Sequence, residues 1–101
     1  MTEVDYQSSL VDGIGAPVVF PEMFDLARHL VDGSIVTTVT GVAGAIRLLL
    51  ERQHVVAEGA GAAPVAAALT GEAGTGKIAC VVSGRNIDPA KLMAIAAGGT
   101  P

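Results

Sequence analysis

The apolar positions change period along the chain. Met23, Leu26, Ala27 and Leu30 recur at i, i+3, i+4 and i+7 behind Pro21, with Gly33 beyond them. That predicts an amphipathic helix with one face buried. Residues 34–39 are rich in β-branched side chains and read as a strand. Helical spacing then returns: Val42, Ile46, Leu49 and Leu50 face inward and Arg47, Glu51 and Arg52 outward, with Thr40 as cap and an end near Gln53. Residues 54–57 form a short strand candidate. The tight stretch 58–61 precedes an alanine-rich segment, 62–70, read as a helix with Pro64 in its first turn.

The run 77–82 is almost continuously apolar, as in a parallel strand covered on both faces. A last helix follows, capped by Asp88, opened by Pro89 and closed before Gly98. Helix and strand alternate, so the expected fold class is α/β, a parallel sheet with right-handed crossovers.

Composition narrows the functional classes. Half of the 101 residues are apolar but only 3% are aromatic, which suits tight packing of Ala, Val, Leu and Ile in one small domain. A net charge of −4 with six scattered Lys and Arg offers no basic stripe, so nucleic acid is not an expected partner. The longest apolar run, 59–70, is short of the ~20 residues of a spanning helix and contains Pro64, so no membrane partner is expected. Residues 1–5 are acidic where a secretory leader would be basic, and a cytoplasmic location is expected. The single Cys80 lies in an apolar run and reads as a buried, inert thiol.

One motif points to phosphate binding. GEAGTGKI, residues 71–78, contains the G-x-x-x-x-G-K of a P-loop, but Ile78 stands where a Ser or Thr would reach the metal ion. A P-loop also leaves a strand and enters a helix, whereas this stretch leaves a helix and enters a strand. Its glycines read better as a helix stop and a crossover. Nucleotide binding is the lesser alternative, beside a non-catalytic α/β binding module.

In a parallel sheet, ligands bind beyond the carboxyl ends of strands. Two such places are 57–61, where Glu58 stands among small residues, and 83–86, Ser-Gly-Arg-Asn. Each also has a plain reading, Glu58 as a helix cap and 83–86 as a turn.

Taken jointly, LLLER (48–52), VVAEGAGA (55–62), the run 78–82 and SGRNID (83–88), with LVDGIG (10–15) upstream, resemble the C-terminal part of the pyridoxal-phosphate-dependent serine/threonine dehydratases. That family includes threonine ammonia-lyases and serine racemases. The likeness covers about residues 8–90 and implies that residues 1–101 are part of the large domain of a tryptophan-synthase-β-like fold.

It implies pyridoxal 5'-phosphate as cofactor, a small hydroxy amino acid as substrate, and a homo-oligomer in the complete enzyme. Ser83 would hydrogen-bond the pyridine nitrogen, and as a hydroxyl it can donate to an unprotonated nitrogen where a carboxylate would not. Glu58 would lie beside the ring, Gly13 would line the same cavity, and Gly84 and Asn86 would shape the loop that carries Ser83. The implied reaction removes the α-proton, expels the β-hydroxyl and yields a 2-oxo acid and ammonia.

Two departures qualify this. Arg85 stands where the family usually has a second glycine, which leaves the substrate open. The cofactor-linking lysine, the glycine-rich phosphate loop and the metal ligands of the family precede anything here, and neither Lys77 nor Lys91 matches the lysine motif. The expectation is therefore a partial enzyme, inactive as an isolated chain, with no metal site assigned.

Overall fold

A computed structural model describes residues 4–101 and shows four α-helices joined by irregular segments. The acidic start is described only from Val4 on; residues 1–3 of that expectation lie outside the described residues. Helix α1 is Pro21–Leu30, α2 Val39–Leu48, α3 Gly59–Leu69 and α4 Pro89–Ala96. A 3-10 turn, Asp12–Ile14, precedes α1, and a π turn, Leu49–Gln53, extends α2.

The helix boundaries follow local chemistry. Proline opens α1 and α4, where its missing N–H is not needed. The Asp88 carboxylate accepts from the Ala90 N–H at 2.9 Å, as expected of a cap. The cap of α2 is Thr38 rather than Thr40: its hydroxyl accepts from the Gly41 N–H at 2.9 Å, so the helix starts earlier than the apolar spacing indicates. His54, at φ 55°, closes the π turn in the left-handed region.

Helix α3 starts at Gly59, three residues before the expected start at Ala62. Propensity argues against helix at 59–61, where Gly costs about 1 kcal/mol relative to Ala. Close approach decides otherwise. A Cβ on Gly59 would lie 2.1 Å from the Leu10 carbonyl oxygen, and one on Gly61 2.7 Å from that of Gly84. Pro64 consequently sits at the sixth helical position rather than in the first turn, where its ring removes the bond that the Ala60 carbonyl would accept.

The core lies between α2 and α3 and is closed by α4. Ile46, Ile95 and Val42 are its largest fully buried side chains, each worth roughly 1.5–3 kcal/mol. Ala45, Ala57, Ala62 and Ala66 fill the space between them and let the helices pack closely. Leu49 and Leu50 are half-buried.

The expected alternation of helix and strand is corrected: among the described residues there is no strand. Segments 34–38, 54–58 and 77–83 carry no regular secondary structure and form no ladder. Their β-branched residues favour extended backbone, while a strand also needs a neighbour for its N–H and C=O groups, and no ladder forms here. The run 77–82 is not covered on both faces either; Ile78 and Val81 are exposed. Cys80 is half-buried, not buried, and its thiol donates to the Pro64 carbonyl at 3.6 Å. The apolar face of α1 is likewise not buried. The GEAGTGK stretch leaves α3, turns at Gly71 with φ 83°, and leads into a segment without regular secondary structure, not into a helix.

Candidate functional site

Three stretches converge at one end of the core: the 3-10 turn at 12–14, the junction of segment 54–58 with α3, and the loop 84–88 that enters α4. The Glu58 backbone N–H donates to the Gly84 carbonyl at 3.0 Å and ties the second stretch to the third. The Glu58 carboxylate lies over Gly84, where a Cβ would fall 2.1 Å from Oε1. A Cβ on Gly13 would meet the Ala60 methyl at 2.9 Å and Glu58 Oε2 at 4.0 Å. Glycine at 13, 59 and 84 is thus what lets the stretches meet.

Together they line a cleft of about 140 Å³ containing Asp12, Gly13, Glu58, Asn86, Asp88 and Lys91. Asp12 is engaged from within. Its carboxylate accepts from the Tyr6 hydroxyl, from the Ser9 N–H at 2.8 Å and from the Ser8 hydroxyl at 2.7 Å. The Tyr6 bond, then those of Ser9 and Ser8, with the Lys91 charge adding a little, hold its pKa down at about 2. The same bond to Asp12 raises the pKa of Tyr6. Asp88 is occupied as a helix cap. That leaves Glu58, Asn86 and Lys91 to meet a ligand at the mouth.

Of the residues singled out in the sequence, the cleft gathers Gly13, Glu58 and Asn86. Gly84 lies beneath the Glu58 side chain without lining the cleft, and Ser83 is exposed at the end of segment 77–83. Asp12 and Lys91 were not singled out as site residues. Asp12 directly precedes Gly13, and Lys91 falls in the first turn of a helix whose start was legible, so their neighbourhood was within reach of the pattern. The cleft is smaller than the ~300–1,000 Å³ of an enclosing ligand pocket.

An L-threonine dehydratase, catabolic TdcB, from Staphylococcus aureus is 30% identical over 100 residues, which is 94% of this chain and 29% of that protein. An L-threonine ammonia-lyase from Geobacter sulfurreducens is 39% identical over 90 residues, 87% of this chain and 22% of that protein. The chain is a partial-length relative of the threonine dehydratases. It spans under a third of the length of these relatives. No protein-family model matches this dehydratase relative, and no solved structure does. Among its described residues no helix is long and apolar enough to cross a membrane.

Proposed function

We propose that this chain forms one wall of the active site of a pyridoxal-phosphate-dependent ammonia-lyase that converts L-threonine or L-serine to a 2-oxo acid and ammonia. The observation that carries the reading is the convergence of Gly13, Glu58 and Asn86 on one cleft, in a chain similar to threonine dehydratases along nearly its whole length. The residues fit one edge of a flat aromatic ring. Gly13 and Gly59 form part of the cleft lining, and Glu58 supplies a carboxylate at its edge. When bound, the cofactor would supply an electron sink for the α-carbon.

Glu58 and Asn86 orient the ring edge. Gly84 allows Glu58 to fold over the loop, and Ser83, which lies outside the cleft here, would donate its hydroxyl to the ring nitrogen in the complete enzyme. In the same reading segments 34–38, 54–58 and 77–83 are strands of a parallel sheet in a tryptophan-synthase-β-like fold, formed once neighbouring strands take up their backbone groups. The chain by itself would be inactive, because neither Lys77 nor Lys91 matches the family's motif for the lysine that links the cofactor and removes the α-proton.

A chimera tests this. Residues 8–90 replace the matching stretch of the Geobacter sulfurreducens ammonia-lyase, and 2-oxobutanoate formed from L-threonine is assayed alongside the cofactor's absorbance. The expected result is a folded, cofactor-loaded chimera with turnover, reduced several-fold by Ser83→Ala, since losing one orienting hydrogen bond costs on the order of 1 kcal/mol. The isolated chain should give no turnover above free cofactor. A chimera that folds but takes up no cofactor overturns the reading.

A further inference from the structure

Residues 4–17 close on themselves. The Val4 N–H donates to the Pro17 carbonyl at 2.8 Å, and between those ends the chain makes the 3-10 turn Asp12–Ile14, in the manner of an Ω loop. Such a loop is packed by its own side chains, and here the packing is done by Tyr6. Its hydroxyl donates to the Asp12 carboxylate at the start of the turn. Its ring covers the end of the turn, where a Cβ on Gly15 would run into the hydroxyl and two ring carbons. Tyr6 thus grips both ends of a turn whose far side lines the cleft. Leu10 and Val11 anchor the entering chain on the core, but no residue of the turn itself is buried, so hydrogen bonds decide where it sits. Ser8 and Ser9 bond Asp12 from within four residues; Tyr6 is the partner that also touches Gly15.

We infer that Tyr6 is a positioning residue for the cleft: it lines none of it, and acts through Asp12 to hold the turn that sets Gly13 against Glu58. This rests on the reading of the cleft as one side of the cofactor site. The tolerance on the cleft side is small. A Cβ on Gly13 would already meet the Ala60 methyl at 2.9 Å, and Glu58 Oε2 lies 4.0 Å from the same point, so a modest shift of the turn moves the wall relative to that carboxylate. Removing the hydroxyl alone leaves the ring over Gly15 but frees Asp12 from it. The turn then spends part of its time out of place, and apparent affinity falls by the fraction of chains that still hold the fitting arrangement.

Two measurements test this. Tyr6 is the only tyrosine and the chain has no tryptophan, so an alkaline absorbance titration of the full chain reads this hydroxyl alone. Its midpoint should lie above the ordinary 10 and fall back towards it in Asp12→Ala, since the bond to Asp12 is the main cause of the rise. In the chimera, now carrying residues 1–101 of this chain, pyridoxal 5'-phosphate is titrated by absorbance well below the thermal midpoint. Tyr6→Phe should raise its dissociation constant about three- to tenfold. Added to Asp12→Ala, the same change should do less than about twofold more, because its path runs through Asp12. A tyrosine that only stabilises the fold would lower the thermal midpoint and leave the dissociation constant alone. A wild-type chimera that takes up no cofactor overturns the cleft reading, and the role of Tyr6 with it. Three results overturn the role of Tyr6 alone: an ionisation midpoint that Asp12→Ala does not move, equal cofactor affinity with and without the hydroxyl, or losses from Tyr6 and Asp12 that simply add.

Discussion

At the scale of single residues, glycines separate two physical roles that look alike in sequence. Gly59 and Gly44 both lie in helices. A Cβ on Gly59 would fall 2.1 Å from a backbone oxygen, whereas one on Gly44 meets nothing within 4 Å. Gly59→Ala should therefore cost about 1–3 kcal/mol or more through overpacking, and Gly44→Ala should add roughly 0.5–1 kcal/mol through helix propensity. Urea denaturation of the two variants checks the opposite signs. Asp12 carries a pH dependence of definite direction. Its folded pKa, about 2, lies below the ordinary 3.8, so its contribution is present above pH 3.8 and lost as pH falls towards 2. Asp12→Asn should flatten that acid limb, read as the pH dependence of the urea midpoint. Glu58 and Asn86 were expected from the ends of the predicted strands they follow, and Gly13 only from the family resemblance. The occupied state of Asp12, set by Tyr6 and Ser8, was not, because it depends on how the first segment folds back.

At the scale of elements, termini encoded by local chemistry were legible and pairing was not. Pro21, Pro89 and Asp88 mark the helix starts where the structure has them. The π turn ends at Gln53, where the α2 periodicity was expected to end. Segments 34–38, 54–58 and 77–83 are rich in residues that favour extended backbone but form no strand, because a ladder depends on partners that no local pattern encodes. The start of α3 was misjudged for a related reason: the glycines at 59 and 61 answer to Leu10 and Gly84, distant in sequence. Where a cap is local its effect can be stated. Thr38→Ala removes the acceptor for the Gly41 N–H and should destabilise the protein by about 1 kcal/mol, since α2 is the central helix of the core. The thermal midpoint measures it, with Thr40→Ala as the control that changes little.

At the scale of the whole molecule, the chain is flat, with extents of 40 × 34 × 18 Å and a radius of gyration of 14.3 Å, against about 13 Å for a compact domain of this length. Its buried side chains belong almost wholly to α2, α3, α4 and Ala57, while α1 and the run 77–82 keep large apolar groups in water. Stability should be distributed in the same way, because backbone amides exchange through whichever local opening costs least. Amides in the second halves of α2 and α3 can open only by exposing Ile46, Ala62 and Ala66, which separates the packed helices. Those of α1 open by fraying a ten-residue helix that buries nothing, and those of 77–82 bond to no ladder. Hydrogen exchange of the dilute chain should show protection confined to α2, α3 and α4, with α1 and 77–82 exchanging near the rate of an unstructured peptide. Uniform protection across all four helices at low concentration would mean that α1 is held by contacts within one chain, and the division into a packed core and an unsupported surface would be wrong.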